Sequence, residues 1–123
     1  MSKIVLTVDD SPSMRQIIKS CLLREGYIVS EAENGKVALA KISHTNHYDL
    51  FIVDVNMPVM DGITFVKEVR KLAGLEKVPI VMLTTESGLD KKAEGQAAGA
   101  TGWITKPFEP KQFVRLVEKL TSQ

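Results

Sequence analysis

Residues 4–12 read IVLTVDDSP, a short apolar run that stops at two aspartates and is followed by Ser-Pro. The run Ile4–Val8 is apolar except at Thr7, which predicts a buried strand. Ser11 and Pro12 then suit the N-cap and the first position of a helix. The stretch therefore predicts a strand that ends in carboxylates and leads directly into a helix.

The rest of the chain repeats this alternation of apolar runs and amphipathic stretches. Four further strands are predicted, at Tyr27–Val29, Leu50–Val53, Pro79–Leu83 and Gly102–Thr105. Four further helices are predicted: one capped by Asn34, one opened by Asp61-Gly62, a weak one over Leu89–Ala98, and a last one that buries Phe113 and Val117. Five strands alternating with five helices are typical of an α/β fold in which helices cover both faces of a parallel sheet.

Length and composition indicate one compact domain. The 123 residues are 44% hydrophobic, which is enough for one core and too little for two. The single cysteine, Cys21, cannot form an internal disulfide, and this fits a reducing cytoplasm. We therefore expect one cytoplasmic domain over residues 1–123, a monomer without an attached output domain.

The charge balance and the hydropathy pattern argue against two classes of partner. The formal net charge is +1, without the basic excess that is typical of nucleic-acid-binding proteins. No apolar run approaches the length of a membrane span, and the first residues lack a signal-peptide pattern. We expect neither a nucleic acid nor a membrane as a partner.

Reactive polar residues stand at the ends of four predicted strands: Asp9 with Asp10, Asp54, Thr84 and Lys106. Parallel strands present their carboxyl ends at one edge of the sheet, and ligands bind there. Clustered carboxylates repel one another, and a hard divalent cation such as Mg²⁺ relieves that repulsion. A carboxylate in such a site can also attack phosphorus and form an aspartyl phosphate. The set therefore predicts a magnesium-dependent phosphoryl-transfer site.

Each of these residues also has an ordinary structural explanation when it is taken alone. An acidic pair after a strand is usually a helix cap or a solvated turn, and Asp54 could be a loop carboxylate. Thr84 could cap the helix that follows it, and a lysine such as Lys106 is most often solvated. The functional interpretation depends on the joint placement of the set at one edge of the sheet.

Four parts of the chain form a recognisable set: VDDS with Met14-Arg15 at residues 8–15, DVNMPVMDG at residues 54–62, Thr84, and KPF at residues 106–108. Together they resemble the receiver domain of two-component response regulators, and most closely the single-domain chemotaxis regulators. The resemblance spans essentially the whole chain. It implies a doubly wound, flavodoxin-like sheet of five strands in the order 2-1-3-4-5, and this order comes from the resemblance alone.

The resemblance also implies a role for each residue at the sheet edge. Asp54 matches the phosphoacceptor, and Asp9 and Asp10 match the acids that hold a metal ion together with it, with Asp10 as a direct ligand. Asn56 is expected to supply its backbone carbonyl to the metal. Lys106 is expected to contact the phosphoryl group, and the peptide bond between it and Pro107 is expected to be cis.

Two further sets of residues are implied to act on the phosphorylated state. Thr84 would move toward the phosphoryl group and Trp103 would turn inward, although receivers more often carry tyrosine or phenylalanine at that position. A half-buried Trp103 that does not switch is the alternative. Asn56 and Glu86 would tune how water reaches the aspartyl phosphate, which implies a phosphorylated state lasting seconds to minutes.

The leading functional hypothesis is a diffusible signalling switch in chemotaxis. A histidine kinase would donate the phosphoryl group, the activated surface would bind a flagellar motor switch protein or another target, and a phosphatase could reset the switch. We do not expect an enzyme, beyond assistance to its own phosphorylation and dephosphorylation. The alternatives are a phosphate sink for a histidine kinase, and a metal-dependent phosphatase with an aspartyl-phosphate intermediate.

Overall fold

The structure, a computed structural model of the chain, describes residues 2–44, 47–85 and 91–122. Within these ranges strands and helices alternate as the sequence predicts. The strands β1 to β5 are Ile4–Val8, Ile28–Ala32, Leu50–Asp54, Ile80–Thr85 and Gly102–Lys106. The helices α1 to α5 are Pro12–Arg24, Gly35–His44, Gly62–Arg70, Lys92–Ala98 and Pro110–Thr121. None of the helices in the described ranges combines the length and hydropathy that a membrane span requires.

The five strands form one parallel sheet in the order β2-β1-β3-β4-β5, which confirms the predicted fold. The direction in which successive strands are added reverses between β1 and β3, and ligands of such sheets bind at the strand ends beside this reversal. Val8 of β1 pairs with Val53 of β3. Because the pairing is in register, the residues that follow, Asp9 and Asp54, leave the sheet side by side.

The central strand β3 has a hydrophobic core on each of its faces. Leu50 and Ile52 belong to the cluster that also contains buried residues of α1 and α5. Phe51 and Val53 belong to the cluster that also contains buried residues of α2 and α3. All of β3 is therefore buried, as expected for a strand covered by helices on both sides. This double packing gives Asp54, the last residue of the strand, a rigid base.

Predicted helix starts agree with the structure where a capping side chain is present. The Ser11 hydroxyl accepts a hydrogen bond from the Met14 amide at 3.2 Å. The Asn34 side chain accepts one from the Val37 amide at 2.9 Å. Asp61 does the same for Thr64 at 2.8 Å. Short polar side chains thus satisfy amides that the first turn of each helix leaves free.

The second strand is the least well predicted element of the sheet. The apolar run predicts Tyr27–Val29, whereas β2 extends over Ile28–Ala32. Each residue from Ile4 to Val8 pairs with one residue of β2, so the length of β1 sets the length of its partner. The polar residues Ser30 and Glu31 are tolerated there because β2 is an edge strand. For α4, predicted over Leu89–Ala98, the described part begins at Lys91, and residues 86–90 lie outside the described residues.

Candidate functional site

Three carboxylates meet at the end of the sheet where the strand order reverses. Asp9 and Asp10 follow β1, and Asp54 closes β3. One carboxylate oxygen from each lies within 4.8 Å of the others. Asp9 and Asp54 are buried, whereas Asp10 is exposed. The structure thus brings together the three acids that the sequence predicts as metal-binding residues.

Lys106 reaches this group from the far edge of the sheet. It is the last residue of β5, and its Nζ lies 3.2 Å from Asp54 Oδ1 and 3.5 Å from Asp9 Oδ2. Its side chain is only 19% exposed, so the explanation as a solvated surface lysine is wrong. The peptide bond between Lys106 and Pro107 is cis, as predicted. One ammonium group therefore bridges two buried carboxylates.

Thr84 is buried beside Asp54 but does not bond to it. Leu83 pairs with Asp54 across the sheet, which places Thr84 at the next position of the neighbouring strand. Its hydroxyl donates a hydrogen bond to the Thr85 carbonyl at 3.1 Å. Helix α4 has Lys91 at its N-cap, so the suggested capping role of Thr84 is wrong. Thr84 is positioned next to the site, and a role in switching remains a prediction.

The structure describes only one of the two residues that are implied to tune dephosphorylation, Asn56. Asn56 is exposed, and its backbone lowers the pKa of the Asp54 carboxyl. The expected metal contact of the Asn56 carbonyl stays a prediction. Glu86 lies outside the described residues. The turn after β3 thus favours the charged form of Asp54 through the backbone of Asn56, an effect that the side-chain pattern does not reveal.

Trp103 is half-buried and packs directly against α4. A Cβ built on Gly95 of that helix would lie 2.4 Å from the Cζ2 atom of the indole ring. The indole Nε1 is buried and has no hydrogen-bond partner in the described part of the chain. The predicted inward turn of Trp103 stays a prediction. The indole ring can take its position in this structure because residue 95 is a glycine and has no Cβ.

The site strongly favours a positive charge at the carboxylates. Burial raises the pKa of Asp54, and repulsion from Asp9 raises it further, while Lys106 and the Asn56 amide act in the opposite direction. Asp9 Oδ2 is buried and has no hydrogen-bond partner among the described residues, although Lys106 lies 3.5 Å away. A carboxylate oxygen without a hydrogen-bond partner, among clustered acids, is a suitable ligand for a hard divalent cation. The residues present therefore fit Mg²⁺.

Stability in metal-free buffer should depend on pH through Asp54. Because its pKa is raised, the folded protein keeps the Asp54 proton to a higher pH than the unfolded chain does. The free energy of unfolding should therefore fall as pH rises from the unfolded pKa, about 4, to the raised folded value. Asp54→Asn removes this titration and should be more stable than the wild type at neutral pH. The difference should shrink in acid.

Urea denaturation across a pH series with a chelator present measures this difference. Asp61→Asn is the matched control, because it removes an exposed carboxylate and asparagine keeps the helix cap. Parallel pH profiles for the wild type and Asp54→Asn would contradict the prediction.

Gly62 is a site residue that the sequence indicates only as a helix start. Its amide donates a hydrogen bond to the Val55 carbonyl at 2.9 Å. A Cβ at this position would lie 2.2 Å from the Asp54 carbonyl oxygen. Helix α3 therefore begins in contact with the backbone of the phosphoacceptor candidate, and only glycine allows that approach.

Comparisons with known proteins agree with this geometry. A model of the response regulator receiver domain matches residues 5–118. Chemotaxis protein CheY1 of Helicobacter pylori is 43% identical over 115 residues, 93% of each chain. The structure of chemotaxis protein CheY4 of Vibrio cholerae superposes with a TM-score of 0.91 at 46% identity, covering 98% of this chain and 99% of that one.

A more distant structure carries a metal. The receiver domain of the sensor histidine kinase PA1611 of Pseudomonas aeruginosa has a magnesium ion coordinated in its active-site cleft. It superposes with a TM-score of 0.90 at 25% identity and covers 100% of both chains. The family match extends over most of the chain, and the arrangement of strands, acids and lysine accords with it. The chain therefore belongs to the response regulator receiver domain family.

Proposed function

We propose that this receiver domain is a phosphorylation switch in which Asp54 accepts a phosphoryl group from a histidine kinase. The observation that carries the proposal is the meeting of Asp9, Asp10, Asp54 and Lys106 at one sheet edge. Phosphoryl transfer needs positioning and charge neutralisation more than covalent chemistry, and this set supplies both.

The proposed reaction is a displacement at phosphorus. A carboxylate oxygen of Asp54 attacks the phosphorus atom, the bond from phosphorus to the donor nitrogen or oxygen breaks, and the donor leaves with the electron pair. The rigid end of β3 and the contact with Lys106 hold the carboxylate in place. Lys106 already lies at Asp54 Oδ1, where its charge would stabilise the transferred group.

Asp9, Asp10 and Asp54 would hold a magnesium ion in this site. When bound, Mg²⁺ supplies positive charge that offsets repulsion among the acids and stabilises charge on the phosphoryl oxygens. The magnesium ion in the PA1611 receiver domain supports this part of the proposal.

The proposed biological setting is chemotaxis in the cytoplasm. Similarity to the chemotaxis proteins of Helicobacter pylori and Vibrio cholerae over nearly the whole chain supports this setting. The domain would act alone as a monomer, receive its phosphoryl group from a histidine kinase, and signal by contact with a flagellar motor switch protein or another target. Its own catalytic contribution would be limited to its phosphorylation and dephosphorylation.

Incubation with a small phosphodonor and Mg²⁺, followed by intact-mass measurement, tests the proposal. The wild type should gain one phosphoryl group, and the gain should disappear with a chelator. Asp54→Asn should gain none, because an amide oxygen is a far weaker nucleophile. Asp61→Asn should be phosphorylated like the wild type, since Asp61 is an exposed helix cap outside the acidic cluster.

A wild type that gains no mass at any Mg²⁺ concentration would refute the proposed function. Phosphorylation of Asp54→Asn to the wild-type extent would move the acceptor to another residue.

A further inference from the structure

Arg15 connects helix α1 to the acidic end of β1. Its Nη1 donates a hydrogen bond to the backbone carbonyl of Asp9. Its Nε donates a second hydrogen bond to Glu31 Oε1 at 3.2 Å. The side chain is 17% exposed. The guanidinium group therefore contacts the acidic cluster through the backbone of Asp9, and it is paired with Glu31 rather than with the three carboxylates of the cluster.

The carboxylate of Asp10 differs from the other two in how it is held. The Asp9 carboxylate accepts a hydrogen bond from the Ser11 amide at 2.9 Å. The Asp54 carboxylate is held by Lys106. In the described ranges, Asp10 has neither a hydrogen bond nor an ion pair through its side chain. Among the described residues, the backbone of Asp10 is therefore what constrains the point and direction from which its side chain projects.

That backbone is fixed by contacts on both sides of Asp9. The Asp9 amide donates to the Ala32 carbonyl at 3.1 Å, which ties it to β2. The Asp9 carbonyl accepts from Arg15. The carbonyl of Asp9 and the amide of Asp10 share one planar peptide unit, so a donor bound to the carbonyl orients the plane from which the Asp10 side chain projects.

We propose that Arg15 is a positioning residue for the metal site, which holds the Asp9–Asp10 peptide so that the Asp10 carboxylate faces the cation. The inference rests on the proposed metal-binding role of Asp10. Arg15 binds no cation itself, and it acts only through this peptide.

Glu31 and Lys19 in turn brace the guanidinium group. Glu31 Oε1 accepts from Arg15, and Lys19 Nζ lies 3.4 Å from Glu31 Oε2. The two contacts of Arg15 use separate nitrogens of one planar group. A lysine carries the same charge on a single nitrogen and cannot keep this geometry. Arg15→Lys therefore removes the positioning while it retains the charge.

The two possible roles of Arg15 have opposite effects on cation affinity: positioning of Asp10 raises the affinity, and the positive charge of Arg15 lowers it. A positive charge behind three carboxylates opposes binding of a divalent cation. If Arg15 acted only through its charge, Arg15→Lys would leave the affinity unchanged. If Arg15 positions Asp10, the same substitution should weaken binding, because metal ligands lose affinity when their supporting contacts are lost.

Titration with Mn²⁺, followed by electron paramagnetic resonance of the free ion, measures the affinity of the unphosphorylated protein directly. Arg15→Lys should bind Mn²⁺ about tenfold more weakly than the wild type. Glu31→Gln should show a smaller loss in the same direction. Lys19→Gln is the matched control, because it removes the positive charge beside Glu31 and leaves the contact between Arg15 and Asp9 in place. The Mn²⁺ affinity of this variant should stay within about twofold of the wild type.

A second readout separates positioning from a merely structural role. In Arg15→Lys the Mg²⁺ concentration that gives half-maximal phosphorylation by a small phosphodonor should rise about tenfold. The maximal rate at saturating Mg²⁺ should stay unchanged, since the cation can still enter a site whose other parts are intact.

Two results would overturn the inference while leaving the proposed function intact: wild-type Mn²⁺ affinity in Arg15→Lys, or a loss of maximal rate without a shift in the Mg²⁺ requirement. Failure of the wild type to bind Mn²⁺ would instead overturn the metal site itself, and the inference with it.

Discussion

Replacement of Gly62 by alanine is expected to lower the free energy of unfolding by about 3 kcal/mol or more. The added Cβ would lie 2.2 Å from the Asp54 carbonyl oxygen and 3.0 Å from Met82 Cε. The oxygen belongs to the backbone of the central strand, which is packed on both faces and cannot withdraw. Alanine favours a helix over glycine by at most about 1 kcal/mol, so the steric cost is larger.

Urea denaturation followed by far-ultraviolet circular dichroism measures this loss. Gly102→Ala is the matched control, because a Cβ there meets no atom within 4 Å. It should be neutral or stabilising by up to about 1 kcal/mol, since alanine restricts the unfolded chain. A Gly62→Ala variant that lacks a cooperative transition would agree with the prediction. A Gly62→Ala variant whose free energy of unfolding lies within about 0.5 kcal/mol of the wild-type value would contradict it, because the end of β3 would then move away from α3 at little cost.

The same contact makes Gly62→Ala informative about the site. Any variant that stays folded must separate α3 from the carbonyl of Asp54, and so must move the strand end or the turn after it. We therefore expect its phosphorylation by a small phosphodonor to be slower than that of Gly102→Ala. Equal phosphorylation rates in the two variants would show that α3 alone moves to make room for the added Cβ.

Replacement of Gly95 by alanine is expected to have an effect whose sign depends on residue 103. With Trp103 present, the new Cβ would lie 2.4 Å from Cζ2 and 2.7 Å from Cη2 of the indole. Either the ring or α4 must move, at a cost of about 1–3 kcal/mol. Alanine favours the helix over glycine by about 1 kcal/mol, which offsets only part of this cost. The free energy of unfolding of the variant should therefore fall by up to about 2 kcal/mol.

A double-mutant cycle with Trp103→Tyr tests the cause. Tyrosine lacks the second ring of the indole, which carries both clashing atoms, so Gly95→Ala should become neutral or stabilising in that background. Circular dichroism serves all four proteins, because Trp103 is the single tryptophan and its fluorescence is lost in two of them. An equal cost of Gly95→Ala in both backgrounds would remove the indole contact as the explanation.

This contact bears on the proposed switch. The resemblance implies a moving aromatic at position 103, and tryptophan is larger than the residues that more often stand there. Gly95 creates the space that the larger ring occupies against α4. We expect Gly95→Ala to shift the tryptophan emission to the red in the unphosphorylated protein, because the displaced ring becomes more exposed to water.

Several features of the site were predictable because they follow from strand ends. Asp9, Asp10 and Asp54 each come directly after or at the end of an apolar run, and parallel strands bring such ends together. The side-chain caps at Ser11, Asn34 and Asp61 were predictable for a similar reason, since they depend on residues three apart.

Other features depend on contacts between distant parts of the chain. The length of β2 follows from its pairing with β1 rather than from its own apolar run. Val59 has a φ of 72° and lies at the centre of a tight turn in which the Met60 amide bonds to the Pro58 carbonyl. Met57-Pro58 predicts a break in the chain, but a β-branched residue rarely adopts such a φ, so the sequence does not place the turn at Val59. The turn lies in the segment between Val55 and Gly62, and the hydrogen bond from the Gly62 amide to the Val55 carbonyl joins the ends of that segment.

The alternation of strands and helices and the types of residue at the strand ends can be predicted from the sequence alone, because hydrophobic period and capping act over a few neighbouring residues. How those residues act on one another depends on the tertiary structure. It placed the Lys106 ammonium group between two buried carboxylates and Arg15 on the carbonyl of Asp9. It also brought Gly62 and Gly95 against atoms that leave no room for a side chain. These contacts follow from strand order, register and packing, which are properties of the whole fold.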